Sequence, residues 1–486
     1  MAFSRFSGPD GKQNQGERGR RVQSDFLRSE KGIQDKCGVF GVWGAPQASR
    51  LAYFASHMQQ HRGQAGAGIV TVAAHSGIFS SKHGYGIVNE IFDKNSLDEL
   101  EGHAAIAHVR YPTQGPAILA NLQPLISVHE RKMAIAHNGE FSNYKAVKLR
   151  LESEGVRFST TSDTEIALHK LMRSGAATIE GRVAEAFADL QPSYAITILT
   201  RNELVGIRDP YGIRPLVIGQ LNNGSFALAS ETVAFDGIGA RYIGEVERGE
   251  AVFIDDKGMR RIQVFEPKRK IPCIFEYIYF GRPESRQFGS RYSNAEIRMG
   301  FGRQLYREHP VKADMVIPVP DSSVDCAIGL SEESGIPLRF GLVRSHYIGR
   351  TFIEPTQDLR DAMILRKYNV NTNLVEGKKL VVVDDSIVRG SIVKIIKLLR
   401  ARGAKEVHVR ISSPPYTNGC HLGIDTAETA KLVAYRFGSV ERIREYINAD
   451  SLGYLSKEGL LSNPYLPSGG WCTYCFDGRE MTRGIG

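Results

Sequence analysis

The chain is short of apolar runs. Nowhere in its 486 residues is there a stretch near the ~20 consecutive apolar residues that a membrane helix needs, so no membrane span is expected. The first 36 residues contain no apolar core, which excludes a secretory signal. Runs of Lys and Arg interleaved with aromatics are also missing. The net charge of +9 and the pI of about 9.1 therefore suit polyanionic small molecules, and nucleic acid is not an expected partner. Cysteine is scarce, with six in the whole chain. Without an export signal, these thiols point to metal binding or catalysis rather than to a disulfide framework. The expected location is the cytoplasm.

What is present is ordinary globular material, 42% apolar and 24% charged, over a length that predicts two or three domains. Residues 1–36 stand apart. They hold eight Lys or Arg against five Asp or Glu and few apolar residues, a composition that predicts disorder. An alternating apolar strand then begins abruptly at Cys37-Gly-Val-Phe-Gly-Val-Trp. Removal of the leader would make Cys37 the amino terminus. Its thiolate would be the nucleophile, and its own α-amine, with a pKa of about 7.7–8.0, the general base.

The residues that follow suit that chemistry. His61-Arg-Gly-Gln, Gly66 and Gly68 form a glycine-rich stretch after a helical run over residues 51–60. Arg110, in His108-Val-Arg-Tyr, offers a fork for a carboxylate. Asn138 and Gly139 end an apolar strand, where an amide side chain and a backbone N–H form an oxyanion hole. Asp163, in Ser-Asp-Thr-Glu, opens a helix and suits an amino group. With Cys37-Gly-Val-Phe-Gly, Arg62-Gly-Gln, Arg110-Tyr111, His137-Asn-Gly-Glu, Ser162-Asp163 and Arg208-Asp-Pro-Tyr-Gly-Ile-Arg-Pro-Leu in this order, the first half resembles class II glutamine amidotransferases. The resemblance implies an N-terminal-nucleophile hydrolase with a four-layer αββα sandwich. It implies Cys37 as nucleophile, Asn138 and Gly139 as oxyanion hole, and Arg110 and Asp163 as the grip on glutamine. Residues 208–216 are then a structural turn beside that site.

Residues 251–270 are polar and basic and read as the crossing between domains. Residues 273–280 read as an apolar, aromatic strand, and residues 291–307 as a helix. The second half is organised around residues 380–391, Leu-Val-Val-Val-Asp-Asp-Ser-Ile-Val-Arg-Gly-Ser. Its apolar residues predict a buried parallel strand. The paired acids Asp384 and Asp385 follow, then Arg389, Gly390 and Ser391, then a helix with Ile392, Ile395, Ile396 and Leu399 on one face. Gly403 closes the helix. Ligands of open α/β sheets bind at such strand ends, and a helix N-terminus with hydroxyls suits phosphate. Met315-Val-Ile-Pro-Val-Pro with Asp321, Ser322 and Ser323 repeats the pattern, and a basic, aromatic, glycine-hinged stretch over 344–355 between the two reads as a lid.

This order resembles type I phosphoribosyltransferases, which bind phosphoribosyl pyrophosphate (PRPP) with Mg²⁺ on a five-stranded parallel α/β sheet. The resemblance implies that Asp384 and Asp385 hold the ribose hydroxyls and the metal-bound substrate. Ser386, Arg389, Gly390 and Ser391 would hold the 5′-phosphate, and Asp321, Ser322 and Ser323 the pyrophosphate. Ser323, Asp384 and Asp385 are the expected Mg²⁺ ligands, and Arg344, Tyr347 and Arg350 the expected lid residues.

The remaining cysteines include Cys472-Thr-Tyr-Cys475. With Cys273 and Cys420 they make a set for zinc or for a [4Fe–4S] cluster, which spacing does not separate. A glutaminase half followed by a phosphoribosyltransferase half is the domain order of the amidophosphoribosyltransferases, and the resemblance covers nearly all of residues 37–475. One branch of that family carries a [4Fe–4S] cluster at matching positions and a cleaved propeptide, so the resemblance implies both here. It also implies a homo-oligomer, glutamine and PRPP as substrates, inhibitory purine nucleotides and an internal ammonia path. The expected segments are a leader at 1–36, a glutaminase domain at 37–265, a phosphoribosyltransferase domain at 266–450 and a C-terminal segment at 451–486. Four positions differ from the usual pattern: Ala65, Pro112, Arg344 and Ile392. Against this reading stand a diverged enzyme feeding ammonia to another acceptor, and a PRPP- or nucleotide-sensing regulator.

Overall fold

The computed structural model describes residues 37–110, 119–127, 132–345, 368–424, 426 and 428–480. The leader, Tyr111, Pro112, and the lid residues Tyr347 and Arg350 lie outside the described residues.

The first half is built on β1 (Gly38–Trp43), β2 (Gly66–Val72), β3 (Phe79–Tyr85), β4 (Ala104–Arg110), β5 (Leu125–Ile126), β6 (Met133–Gly139), β7 (Tyr194–Thr200), β8 (Leu204–Arg208), β9 (Val217–Gln220), β10 (Phe226–Ala229), β11 (Arg241–Glu245), β12 (Glu250–Asp255) and β13 (Gly258–Gln263). One antiparallel sheet runs β11-β9-β10-β1-β4-β2-β3, and the other β13-β12-β8-β7-β6-β5. Alternation along β1 explains why the two sheets stack. Val39 and Trp43 join the apolar layer between the sheets, while Phe40 and Val42 face outward and are covered by α1 (Ala48–Met58). On the far side, α2 (Tyr144–Ser153), α3 (Thr164–Arg173) and α4 (Ile179–Phe187) cover the second sheet through Val147, Leu151, Ile166, Leu171, Val183 and Phe187. The result is the expected four-layer αββα sandwich.

In the second half, α5 (Asn294–Glu308), β14 (Met315–Pro318) and α6 (Val324–Ser334) precede a hairpin of β15 (Leu342–Arg344) and β16 (Tyr368–Val370). Then come β17 (Lys379–Asp384), α7 (Ile392–Ala401), β18 (Glu406–Ile411), α8 (Val440–Ile447) and β19 (Ser451–Tyr454). The strands β14-β17-β18-β19 form a parallel sheet. Both faces are buried, with Val381 and Val383 in one apolar cluster and Leu380 and Val382 in the other.

Three expectations are corrected. The implied five-stranded sheet has four strands among the described residues. The place beside β14 holds a single bridge, Val316 to Leu338, because Pro337 has no N–H with which to extend a ladder. Residues 251–263 are not part of the crossing: with Glu250 they form the β12–β13 hairpin at the edge of the second sheet, so the crossing narrows to residues 264–272. Residues 273–280 are not a strand: Glu276–Phe280 is a single wide helical turn, buried except for half-buried Tyr279. An apolar run without a polar face carries no period that separates strand from helix.

Candidate active sites

The first site forms where the two sheets of the sandwich meet. Cys37 stands just ahead of β1, and the pairing of Gly38 with Val109 sets it beside Arg110 at the end of β4. Both are largely buried, at 9% and 6% exposure. Burial lowers the Arg110 pKa, and the Cys37 thiolate opposes that shift. Glycine is required in Arg62-Gly-Gln because a Cβ on Gly63 would lie 2.5 Å from the Arg110 carbonyl carbon.

Asn138 and Gly139 end β6 in the facing sheet. The Ser230 hydroxyl joins them to the nucleophile strand, accepting from Val39 N at 3.0 Å and from Asn138 Nδ2 at 3.5 Å. Gly139 has φ +145°, and a Cβ there would fall 2.2 Å from the Ser193 carbonyl oxygen. Asp163, just ahead of α3, accepts from Phe141 N at 2.9 Å and lies 3.8 Å from His137 Nδ1. The neighbouring Glu165 accepts the N–H groups of Ser159 and Thr160 at 2.8 Å each. Burial opposes its ionisation, but His169 and these donors outweigh it and bring Glu165 down to about 2.

Behind the thiol lies an ion network that the sequence did not disclose. Arg62 is fully buried and donates to Glu231 and, at 2.6 Å, to Glu276 of the second domain. Arg214 donates to the other Glu276 oxygen at 3.1 Å. Glu231 also accepts from His61 at 2.7 Å, Arg282 N at 2.9 Å and the Ser285 hydroxyl at 2.8 Å. Burial alone would raise the Glu231 pKa, but Arg62 and His61 hold it far below the usual range. The turn at 208–216 has a definite task. Asp209 accepts the N–H groups of Tyr211 and Gly212, while the carbonyls of Pro210, Tyr211 and Ile213 receive the N–H groups of Lys268, Ile271 and Cys273 from the crossing.

The second site lies at the carboxyl ends of β14 and β17. Asp385 accepts from the Ser322 and Ser386 hydroxyls, so the two loops are joined through one carboxylate. Asp384 accepts from Asp385 N at 3.0 Å. Burial, then the charge of Asp385, pushes Asp384 well up. Asp385 is also raised by burial, with the serine hydroxyls opposing. Asp321 is exposed and accepts from Arg344, the first residue of the expected lid. Arg389 and Gly390 occupy the turn before α7, with Gly390 at φ +92°, and Ser391 precedes the helix, exposed. The Ser323 hydroxyl is buried and donates to the Val319 carbonyl. Tyr368, not singled out from the sequence, lies close enough to Asp384 that burial and that charge raise its phenol to well above its usual value.

The four expected cluster cysteines converge. Cys273 and Cys472 face each other in an isolated parallel bridge, and Thr417 N and Asn418 N donate to the Cys475 carbonyl. Cys420 Sγ accepts from Leu422 N at 3.3 Å and Ile424 N at 3.4 Å. Burial raises the Cys472 and Cys475 thiols, and the nearby Cys273 and Cys420 raise them further. None of the six cysteines is in a disulfide. Cys326 is separate, buried on α6, with its thiol pushed up to about 12 by burial.

Residues 115–237 match a family model described as a glutamine amidotransferase domain. Amidophosphoribosyltransferase 1 of Arabidopsis thaliana, a chloroplastic protein, is 46% identical over 450 residues, covering 92% of this chain and 78% of its own. Amidophosphoribosyltransferase of Bacillus subtilis is 43% identical over 464 residues, covering 94% and 96%. The chain belongs to the amidophosphoribosyltransferase family. Solved structures agree. A glutamine PRPP amidotransferase from B. subtilis, complexed with ADP and GMP, superposes with a TM-score of 0.85 at 42% identity, covering 92% of this chain and 97% of that one. A structure described as the allosteric regulatory enzyme of purine biosynthesis gives 0.86 at 42% identity, covering 92% and 96%. Family membership spans both halves, so the thiol site and the paired-acid site belong to one enzyme.

Proposed function

We propose that the chain is an amidophosphoribosyltransferase, converting glutamine, PRPP and water to 5-phosphoribosylamine, glutamate and pyrophosphate at the first step of purine synthesis. The observation that carries this is the pairing of a buried thiol beside Arg110 with a paired-carboxylate strand end in a chain that follows the family along both domains.

In the glutaminase domain, residues 37–265, Cys37 Sγ attacks the side-chain amide carbon of glutamine. The C–N bond breaks, and the ammonia leaves with a proton relayed by the Cys37 α-amine, which removal of residues 1–36 would expose. Asn138 Nδ2 and Gly139 N–H stabilise the oxyanion. Arg110 and Asp163 hold the substrate's carboxylate and amine. Water then hydrolyses the thioester to glutamate.

In the second domain, residues 266–450, ammonia attacks C1 of PRPP as the C1–O bond to pyrophosphate breaks. This step needs positioning more than a base. Asp385 keeps both turns in register, the turn from Ser386 to Ser391 with Arg389 receives the 5′-phosphate, and Asp321 with Ser322 lies at the pyrophosphate. Arg344, Tyr347 and Arg350 belong to the lid that excludes water. The buried, mutually repelling Asp384 and Asp385 fit Mg²⁺, which neutralises charge on the leaving group when bound. Ser323 is the third proposed ligand; its hydroxyl donates to the Val319 carbonyl, which leaves the oxygen lone pairs for the cation.

The four cysteines converge, three of them buried and Cys420 half-buried, and would hold the [4Fe–4S] cluster that the family resemblance implies. The cluster would tie the C-terminal segment, 451–486, to the sheet. A homo-oligomer, purine-nucleotide inhibition and a cytoplasmic location complete the proposal.

PRPP-dependent release of glutamate tests the reaction. A re-tasked enzyme hydrolyses glutamine regardless of PRPP, and a sensor releases none. Mass measurement of the mature amino terminus tests the leader, and four irons with acid-labile sulfide per chain test the cluster.

A further inference from the structure

The oxyanion-hole strand is tied to the second domain by one side chain outside the expected site. Ser193 is fully buried, and its hydroxyl donates to the Leu422 carbonyl at 2.7 Å across 229 residues of sequence. The backbone of the same serine holds the end of β6 in place. Glu140 N donates to Ser193 O at 2.8 Å, and Ser193 N donates to Glu140 O at 2.7 Å. His137 Nε2 lies 3.3 Å from Ser193 O. That carbonyl is the one a Cβ at Gly139 would strike, so Ser193 packs directly against the Gly139 backbone. On the other side, the Leu422 carbonyl also accepts from Arg214 Nη2 at 3.0 Å, while Leu422 N donates to Cys420 Sγ. A single residue of the second domain, Leu422, is thus clamped between two side chains of the glutaminase domain and one cysteine of the four-cysteine set.

We propose that Ser193 is a positioning residue for the oxyanion hole, and that through it residues 420–424 of the second domain set the geometry in which Cys37 works. The inference rests on the glutaminase reading above. Ser193 touches no reacting atom. Its hydroxyl steadies the carbonyl that packs against Gly139, and the partner of that hydroxyl, Leu422, lies in the other domain. Whatever shifts the Cys420 loop therefore reaches the Gly139 N–H through two hydrogen bonds.

The test compares Ser193→Ala and Ser193→Thr with the unmodified enzyme in three measurements. The first is glutamine-dependent turnover resolved into kcat and KM. The second is turnover with ammonium in place of glutamine. The third is amide exchange of the peptide holding Gly139 and Glu140. For Ser193→Ala, kcat with glutamine is expected to fall about tenfold, less than the roughly 10²–10³ for deleting an oxyanion donor outright. KM for glutamine should stay within about twofold, because Arg110 and Asp163 are untouched. Ammonium-dependent turnover should be unchanged, and exchange at Glu140 faster. Ser193→Thr, which keeps the hydroxyl, should restore kcat and slow exchange. Equal loss with glutamine and ammonium overturns the proposal in favour of a general packing role. Unchanged kcat and exchange in Ser193→Ala also overturn it, as does failure of Ser193→Thr, folded by its ammonium turnover, to restore kcat. If the unmodified enzyme shows no PRPP-dependent glutamate release, the functional reading has failed instead, and the exchange data alone decide the tether.

Discussion

Two pairs of buried carboxylates sit in this molecule with opposite electrostatic character. Glu231 and Glu276 lie against Arg62 and Arg214 at the boundary between the domains, and Glu231 is held far into its ionised range. Asp384 and Asp385 lie at the end of β17 with serine hydroxyls and a backbone N–H against them, and both are pushed toward the neutral form. Burial penalises all of these charges. At the domain boundary the protein supplies the opposing charge itself, and the result is a fixed joint. At the strand end it leaves the charge to be met from outside, as suits a site that takes up a cation with a pyrophosphate.

Neutralising one acid in each pair should therefore act in opposite directions. Asp384→Asn is expected to reduce PRPP turnover by about 10²–10³-fold, the loss typical of removing one electrostatic contact to a reacting centre. The same substitution should raise the Tm of the metal-free protein. The folded-state pKa is raised, so the folded protein holds the proton more tightly than the unfolded chain. The pair's contribution is thus favourable at low pH and is lost as pH rises through the folded pKa; the asparagine mimics the protonated state. A lower Tm in Asp384→Asn would remove the contrast between the pairs. Glu231→Ala, by contrast, should destabilise by about 3–5 kcal/mol, because Arg62 stays buried with only Glu276, which it shares with Arg214, to meet its charge. Urea unfolding of both variants measures the two signs directly.

A third difference concerns pH. His108 is buried beside Arg110, and burial first, then that charge, brings it from its ordinary 6.5 down to about 3. Its contribution is fully present above the unfolded pKa. It is lost as pH falls from about 6.5 to 3, where the unfolded chain takes up a proton that the fold refuses. The acid loss of Tm should begin near pH 6.5 and be flatter in His108→Gln. An equal slope in the variant would assign the acid limb to other groups.

Much of this was legible in local pattern. Alternation in residues 38–43 and the apolar face of residues 392–399 announce their elements, because each side chain's surroundings repeat with the backbone period. Residues 251–263 hid a hairpin because its turn carries exposed Asp256 and Lys257 and its outer strand exposes Arg260 and Arg261, which reads as linker. Nothing local marks Glu231, Ser193 or Leu422. Their partners lie 169 and 229 residues away, and a side chain's worth there comes from the fold that brings the partners together. Paired aspartates after a strand are legible as chemistry. That they are short of counter-charge is visible only once their neighbours are known.

The smallest effect belongs to the position that departs from the phosphate-turn pattern. Ile392 stands after Gly390-Ser391, where a second hydroxyl is usual. Its side chain is not directed at the turn's opening but is 1% exposed in the cluster with Leu380, Val382 and Ile396. Ser391 N-terminal to α7 is exposed and keeps its hydroxyl at the turn. Ile392→Thr would thus remove core contacts and bury a hydroxyl, for a loss of about 1–3 kcal/mol in stability. It should leave the KM for PRPP unchanged, since the proposed phosphate contacts, Ser391, Arg389 and the N–H groups at the start of α7, are retained. A fall in that KM would mean that the turn of the paired-acid site repacks when ligand enters, and that its difference from the fixed Glu231 joint extends from charge to backbone.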